Sequence, residues 1–358
     1  MKCIKCGHDS KYKDRQDRRC PSCREPFAFE PKDHDKLTDV AFQHAIDAVS
    51  SQGNLKWGVE HLYYEICRRL RPRAHYIRDG VIGAGAVGAT LVLHWAPPIS
   101  AGAALFTAWR IFGSWQGRRQ MFVHEEQAAF DQMWKRWVAA HGQPPGVIAR
   151  REQPESTRAA APELADYSFD RAVICDRART VDLLLANNFH FENNCAVLSL
   201  EGYPRGPFET VRGMLKRNPR LRVLALHDAT PAGCRMAAKL STDSEWFKDQ
   251  VPVVDVGLRP RHARPFRGLL LPSTGDFVGA GDGIEANETA WLSQYRLEVA
   301  AIRPEQVLKR LFRAMNADTA GGDGGDGGGG SGSSYVVYDD DSFSADAGAS
   351  DGGADSFG

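Results

Sequence analysis

CAVLSLEGYPRGPFETVRGMLKRNPRLRVLALHDATPAGCRMAAKL runs from Cys195 to Leu240, and VPVVDVGLRP follows over Val251–Pro260. Two apolar runs, Cys195–Leu200 and Leu221–Leu226, each end in a polar turn and lead into a helix-forming stretch. That order is expected of a parallel α/β sheet whose functional residues sit at the carboxyl ends of its strands. Upstream, Arg171-Ala-Val-Ile-Cys-Asp176 reads as a first strand, followed by a helix through Val181 to Ala186. The predicted element order is β-α-β-α-β-α-β, with Asp176 and Asp228 at strand ends. Thr230 before Pro231 is a helix N-cap with proline at the first helical position, and that helix start can also receive an anion. Cys175, Cys195 and Cys234 lie in or beside apolar runs and read as core thiols.

The Gly-Tyr-Pro at Gly202–Pro204, the Asp-Ala-Thr-Pro-Ala-Gly turn at Asp228–Gly233 and the Gly-Leu-Arg-Pro at Gly257–Pro260 resemble the Toprim domain of topoisomerase VI A subunits and their meiotic DNA-breaking relatives. The resemblance covers Asp170 to Pro265. It implies a glutamate ending the first strand and an Asp-x-Asp pair ending the third, which together hold Mg2+ against a scissile phosphate. Here Asp176 stands at the glutamate, Asp228 at the first aspartate and Thr230 at the second, so one charge of that set is gone. The resemblance therefore implies a degenerate acidic site, with residual anion or Mg2+ binding at Asp176, Asp228 and Thr230 or a purely structural role. His227 reads either as an acid–base group or as a packing residue, and Glu201 as a substitute carboxylate.

Cys3-Ile-Lys-Cys6 and Cys20-Pro-Ser-Cys23 are two CxxC knuckles thirteen residues apart, a spacing that closes four thiolates around one structural Zn2+. Residues 1–30 are too few to fold on an apolar core alone, so the metal is expected to supply most of their stability. Four thiolates leave no open coordination position, and His8 reads as a surface residue.

Residues 37–79 read as two short helices, Leu37 to Val49 and Val59 to Leu70. The second, Val59-Glu-His-Leu-Tyr-Tyr-Glu-Ile-Cys-Arg-Arg-Leu70, resembles the winged-helix segment that carries the nucleophilic tyrosine of the same family, with Tyr64 in that place. The family's Arg-Asp ahead of the tyrosines is Glu60-His61 here. Val59, Leu62, Tyr63, Ile66 and Leu70 form one helical stripe, which predicts Tyr63 in the core and Tyr64 off it.

Residues 80–113 are apolar and split by Pro97-Pro98. A GxGxxG match at Gly83–Gly88 lacks both the preceding strand and the later acidic residue that a dinucleotide site needs. The stretch reads instead as a helical hairpin, re-entrant in a membrane or buried, with arginines flanking both ends as the positive-inside rule expects for a cytoplasmic orientation. Residues 114–141 read as an amphipathic helix continuing from Gln116, 142–168 as a linker, and 169–318 as the α/β domain, closed by helices over Trp291–Ala300 and Pro304–Met315. The Gly/Ser/Asp tail, 319–358, is too polar to bury a core and is expected to be disordered. Lys+Arg and Asp+Glu both total 45, but residues 321–358 hold eight Asp and no Lys, Arg or Glu, which leaves the body basic. That balance permits a nucleic-acid or anionic-lipid partner without demanding one.

The expected architecture is an α/β Toprim-like domain with a small zinc ribbon and an α-helical apolar hairpin. The function expected from it is a membrane-associated zinc-ribbon binding or scaffold protein on the cytoplasmic face, taking protein partners through the ribbon or the acidic tail. The alternatives are a DNA-cleaving or DNA-relaxing transesterase using Tyr64, Asp176, Asp228 and Mg2+, and a soluble cytoplasmic nucleic-acid-binding regulator.

Overall fold

The computed structural model describes residues 1–71, 121–123, 125–149, 169–218, 220–248, 250–273, 278–317 and 335–337. The apolar stretch 80–113 and most of the linker 142–168 lie outside them. Among the described residues no helix is long and apolar enough to cross a membrane.

The ribbon is two superimposable turns. Cys3 N–H donates to His8 O and Gly7 N–H to Cys3 O, and the same pattern recurs from Cys20 to Glu25 O and from Arg24 to Cys20 O. Bridges pair Lys2 with Asp9 and Arg19 with Pro26 at the base of each turn. The fifth knuckle position is left-handed in both, and glycine meets that requirement at Gly7 (φ 70°) whereas Arg24 adopts it at φ 62°. A buried two-pronged pair joins Arg15 to Glu30 through 2.9 Å contacts. Asp39 accepts from Ala28 N (3.0 Å) and Phe29 N (2.9 Å), which fixes the ribbon to the helices that follow.

Those helices are α1 (Asp39–Val49), α2 (Val59–Leu70) and α3 (Gln127–His141). Thr38 caps α1 by accepting from Ala41 N. Phe29, Phe42 and Trp137 stack at the centre of this layer, with ring centroids 5.1 Å and 4.7 Å apart for successive pairs. Of the helix expected from Gln116, only Gln127–His141 is helical among the described residues. Met121–Val123 is extended, and Val123 N–H donates to Leu270 O while Gly268 N–H donates to Met121 O. Glu126 has extended dihedrals at the N-cap of α3, and over Met121–Val123 the helical periodicity is overridden by pairing with the 268–270 segment.

The α/β unit runs β1 (Arg171–Cys175), α4 (Ala178–Ala186), α5 (Phe189–Glu192), β2 (Cys195–Ser199), α6 (Phe208–Arg217), β3 (Arg222–Leu226), α7 (Pro231–Cys234), α8 (Met236–Thr242) and β4 (Val253–Asp255). After it come β5 (Leu271–Pro272), α9 (Thr289–Leu292), β6 (Tyr295–Arg296), α10 (Pro304–Asn316) and β7 (Tyr335–Val337). The four expected strands are parallel, in the order β2-β1-β3-β4, and β7 adds to β4 in parallel with Val254 opposite Val336. One short strand thus comes from the polar tail. Alternation sends Val173, Cys175, Leu224 and Leu226 to the face shared with the N-terminal helices and α10. Ile174, Leu198, Val223 and Ala225 go to the opposite face, against α6 and α8.

The chain crosses from β2 to β3 over the top of β1, so the switch point of the sheet lies between β1 and β3, where an α/β crevice forms. Asp176 and Asp228 end those two strands. The helix expected over Trp291–Ala300 is not formed. Only Thr289–Leu292 is helical; Leu297 then pairs with Ala229 through two backbone hydrogen bonds, and Val299–Ala301 is a single 3-10 turn. Cross-strand pairing has overridden the helical spacing, and it delivers Glu298 and Val299 to the crevice.

Candidate functional site

The four cysteine sulfurs lie within 4.8 Å of one another. Cys3–Cys23 and Cys6–Cys20 are 3.7 and 3.6 Å apart. A tetrahedral zinc with Zn–S bonds of about 2.3 Å needs edges of about 3.8 Å, so the donors fit that ion in number, type and spacing. Cys3 and Cys20 are buried. Among the described residues this is the only His/Cys/Asp/Glu group that meets the spacing for a metal.

The crevice between β1 and β3 brings Asp176 and Asp228 together. The Asp228 N–H donates to Asp176 Oδ2 at 2.8 Å, and the Val299 N–H donates to Asp228 Oδ1 at 2.7 Å. Arg177, half-exposed, places Nε 2.5 Å from Asp228 Oδ2 and a terminal nitrogen 3.5 Å from Glu298 Oε1. The Asp228 contact is an ion pair outside hydrogen-bond geometry, so Asp228 Oδ2 has charge compensation but no aligned donor among the described residues. Asp176 Oδ1 is buried with no partner among the described residues. Burial, and then the neighbouring Asp176 carboxylate, push Asp228 up to about 7 against the pull of Arg177. Burial likewise raises Asp176.

Tyr64 is 2% exposed, not off the core as its stripe position predicts. The reason is that α2 is covered on both sides, by α1 and by the 299–301 turn, so His61 through Cys67 are all buried. Buried Glu65 fastens this arrangement through Arg68, Arg69 and Arg303, and Arg68 also donates to Ala301 O. The Tyr64 hydroxyl consequently reaches Glu298 Oε2 at 3.1 Å and donates to it. Burial, then the Glu298 carboxylate, hold its phenol well above the usual range, so it is a protonated donor.

Other candidates fall outside this cluster. Thr230 accepts from Gly233 N at 3.0 Å and caps α7, the structural role that its local sequence implies. Glu201 sits on an exposed turn, and the extra carboxylate beside Asp228 is Glu298 instead. No motif marks Glu298; it arrives through backbone pairing of Leu297 with Ala229. Cys175, Cys195 and Cys234 are buried thiols raised by desolvation, as read from sequence.

His227 is fully buried behind the crevice. Its Nδ1 meets Asp228 O and its Nε2 meets Asp255 Oδ1, both at 2.9 Å. Both partners are acceptors, so the ring donates at both nitrogens and is an imidazolium. Burial pulls its pKa down, but the Asp255 charge and hydrogen bond raise it overall. Asp255 also accepts from Gly257 N (3.0 Å) and from Arg259 Nε (2.9 Å), and Arg259 reaches Glu288 at 3.0 Å. Burial opposes ionisation of Asp255, yet His227 and Arg259 hold it well below the usual carboxylate range.

The raised values at Asp228 and His227 set pH responses of one sign. An aspartate whose folded pKa is raised binds more protons folded than unfolded between about pH 4 and 7, so its contribution to stability falls as pH rises through that window. His227 adds a loss of the same sign above about pH 6.5, its unfolded value. Asp228→Asn keeps the acceptor for Val299 N and removes the titration. Its Tm relative to wild type is expected to rise from pH 4 to pH 8, and an unchanged difference across that range refutes the shift at Asp228.

A cavity of about 1620 Å3 opens beside the crevice, and Tyr64, Glu60, Glu298, Arg179, Arg205 and Arg296 are among the residues that line it. Compared with known proteins, the chain matches no family model, no curated protein and no solved structure.

Proposed function

We propose that this chain is a zinc-ribbon binding or scaffold protein whose Toprim-like α/β domain is closed to divalent-metal chemistry by its own arginine. The observation that carries the reading is Arg177, 2.5 Å from Asp228 and 3.5 Å from Glu298. A guanidinium supplies one positive charge where a catalytic Mg2+ would supply two with octahedral oxygen coordination. Backbone amides take two further carboxylate oxygens, one on Asp176 and one on Asp228. Tyr64, the residue in the nucleophile's place, is a buried donor rather than an exposed phenolate. Nucleophilic attack needs the deprotonated oxygen, and a buried phenol held in its protonated form does not supply it. The ribbon, the part of the chain with a complete metal-ligand set, offers recognition rather than catalysis because its four thiolates fill the coordination sphere.

The second reading, a DNA-cleaving transesterase, is favoured by one contact, the 3.1 Å hydrogen bond that makes Glu298 an acceptor for the Tyr64 proton. Denaturing electrophoresis of the full chain incubated with Mg2+ and labelled supercoiled DNA separates the two. The scaffold reading expects no protein–DNA adduct from wild type or from Tyr64→Phe. An adduct formed by wild type and absent from Tyr64→Phe establishes the enzyme and removes the scaffold.

A further inference from the structure

Cations gather on the 3-10 helix that follows β4, outside the cavity beside the crevice, whose six carboxylates outnumber its four cations. Pro260–Phe266 forms that helix, with Arg267 at its C-cap. Arg261, Arg264 and Arg267 are exposed, whereas His262, Ala263, Phe266 and Leu269 are buried. A 3-10 helix repeats every three residues, so the three guanidiniums stand in one row at intervals of roughly 6 Å. Ala263, Phe266 and Leu269 anchor the inner side in the main core. Arg264 and Arg267 have no hydrogen bond or ion pair among the described residues. No Asp or Glu occurs from Val256 to Gly275. Asp255, just before, is buried and matched by His227 and Arg259. The exposed carboxylates of the neighbourhood, Asp282 and Glu285, lie on and just after the Gly281–Ile284 hairpin, which Arg259 holds at the start of the helix. His262 registers the surplus: burial first, then Arg310 and Arg261, push it down to about 3 against the pull of Asp255.

The far end of the same helix is where the apolar stretch joins the body. Arg71, at the C-cap of α2, lays its side chain on Gly268, where a Cβ would meet Arg71 Nε at 3.1 Å. Met121, where the described chain resumes, accepts from Gly268 N at 3.0 Å and from Leu270 N at 3.2 Å. Both ends of 72–120 therefore converge on one glycine. Between them, the thirty residues from Gly80 to Trp109 include no Asp, Glu, Lys or Arg. Beside the junction Phe122, 41% exposed, packs on Tyr295 at 5.3 Å, and Tyr295 packs on Trp291 at 5.6 Å, both of these rings half-buried. Aromatic rings beside a row of basic side chains have the composition of a water–bilayer interface, where the rings sit at headgroup level and the cations meet anionic lipid. A nucleic-acid surface would account for the arginines but not for an uncharged run tethered beside them.

We propose that Arg261, Arg264 and Arg267, with Phe122, form a face that docks the body of the protein on an anionic lipid surface. The guanidiniums contact lipid headgroups, and the junction at Gly268 brings both ends of the uncharged run to the same surface. This face is separate from the ribbon and the crevice, so the inference goes beyond the scaffold reading and stands whether or not the crevice is catalytic.

The test partitions the full, metal-loaded chain onto vesicles of phosphatidylcholine alone or of phosphatidylcholine with phosphatidylserine, read by sedimentation. Wild type is expected to bind the anionic vesicles more tightly, by a margin that shrinks as salt is raised. A basic side chain at an anionic surface contributes about fivefold in partitioning, so changing Arg261, Arg264 and Arg267 together to glutamine is expected to cost roughly 100-fold on anionic vesicles and little on neutral ones. Arg264→Gln with Arg267→Gln, which removes only exposed side chains, is expected to cost roughly 30-fold with the far-ultraviolet circular dichroism and metal content of wild type. Lysine at all three positions keeps the charge and is expected to restore the affinity for anionic vesicles. Equal affinity of wild type and the triple glutamine variant for anionic vesicles overturns the proposal, as does wild-type binding that ignores phosphatidylserine. A triple variant that keeps its vesicle affinity but loses binding to a labelled oligodeoxythymidylate assigns the row to nucleic acid, and the lipid assignment is then wrong.

Discussion

Changing Cys20 to serine is expected to release the zinc and to unfold more than the ribbon. A structural zinc in a small domain contributes binding energy on the order of 10–16 kcal/mol, and residues 1–30 have little else to fold around. Their own apolar cluster is Cys3, Cys20 and Phe27 with Met1 and Cys23 against it, most of it the metal ligands themselves. The damage should spread because the ribbon runs directly into the body. Ala28 and Phe29 belong to the main core, Phe29 stacks with Phe42, and Asp39 is held jointly by Ala28 N, Phe29 N and His141. Metal analysis should fall from one zinc per chain to none. The near-ultraviolet circular dichroism of Trp137 and its neighbours should weaken in the same variant, while the far-ultraviolet signal of the α/β unit persists. A Tm and a near-ultraviolet spectrum equal to wild type, with zinc absent, show instead that the ribbon is held by packing alone.

The second large effect is expected at Asp255. This carboxylate is fully buried and answers two buried cations, His227 and Arg259. Asp255→Asn is isosteric, but it removes the charge and turns one acceptor oxygen into an NH2 group that faces a donor. It leaves an imidazolium with no counter-ion and an arginine with Glu288 alone, and breaking a buried pair this way costs about 3–5 kcal/mol. For an α/β unit of this size that corresponds to a fall in Tm on the order of 10 °C. The variant should also change the state of His227, which loses the acceptor that requires a proton on Nε2. Its ring resonances are expected to report an imidazolium at neutral pH in wild type and a neutral ring in the variant. If His227 is neutral in both, Asp255 is not the source of its charge. Gly257 matters to the same network for a steric reason: a Cβ there would meet the His227 ring at 2.4 Å, so only glycine lets β4 turn this close to the imidazole.

Features encoded within a few residues of one another are readable before any coordinates. The two CxxC knuckles, the four parallel strands with their helices, the Thr230 cap, and Asp176 and Asp228 at adjacent strand ends all depend on local spacing or on the rule that α/β sites lie at strand carboxyl ends. What escapes is set by partners distant in the chain. Trp291–Ala300 has helical apolar spacing, yet Leu297 pairs with Ala229, and that pairing brings in Glu298, which no motif marks. Tyr64 sits off the apolar stripe of α2, but a helix covered on two faces buries both stripes. Met121–Val123 carries the period of α3 and is captured by the 268–270 segment instead. Arg177 is visible as the residue after Asp176, whereas its direction, toward Asp228 and Glu298, is a fact of the folded crevice.

Arg177 is proposed to stand where a divalent cation would stand, and calorimetric titration of Mg2+ into the intact, metal-loaded chain tests that placement. Wild type is expected to give no saturable heat, and Arg177→Ala, with Asp176, Asp228 and Glu298 left unneutralised, is expected to gain a saturable Mg2+ site. Saturable Mg2+ uptake by wild type that Asp228→Asn abolishes would mean that the crevice is a working metal site and the closed-scaffold reading is wrong.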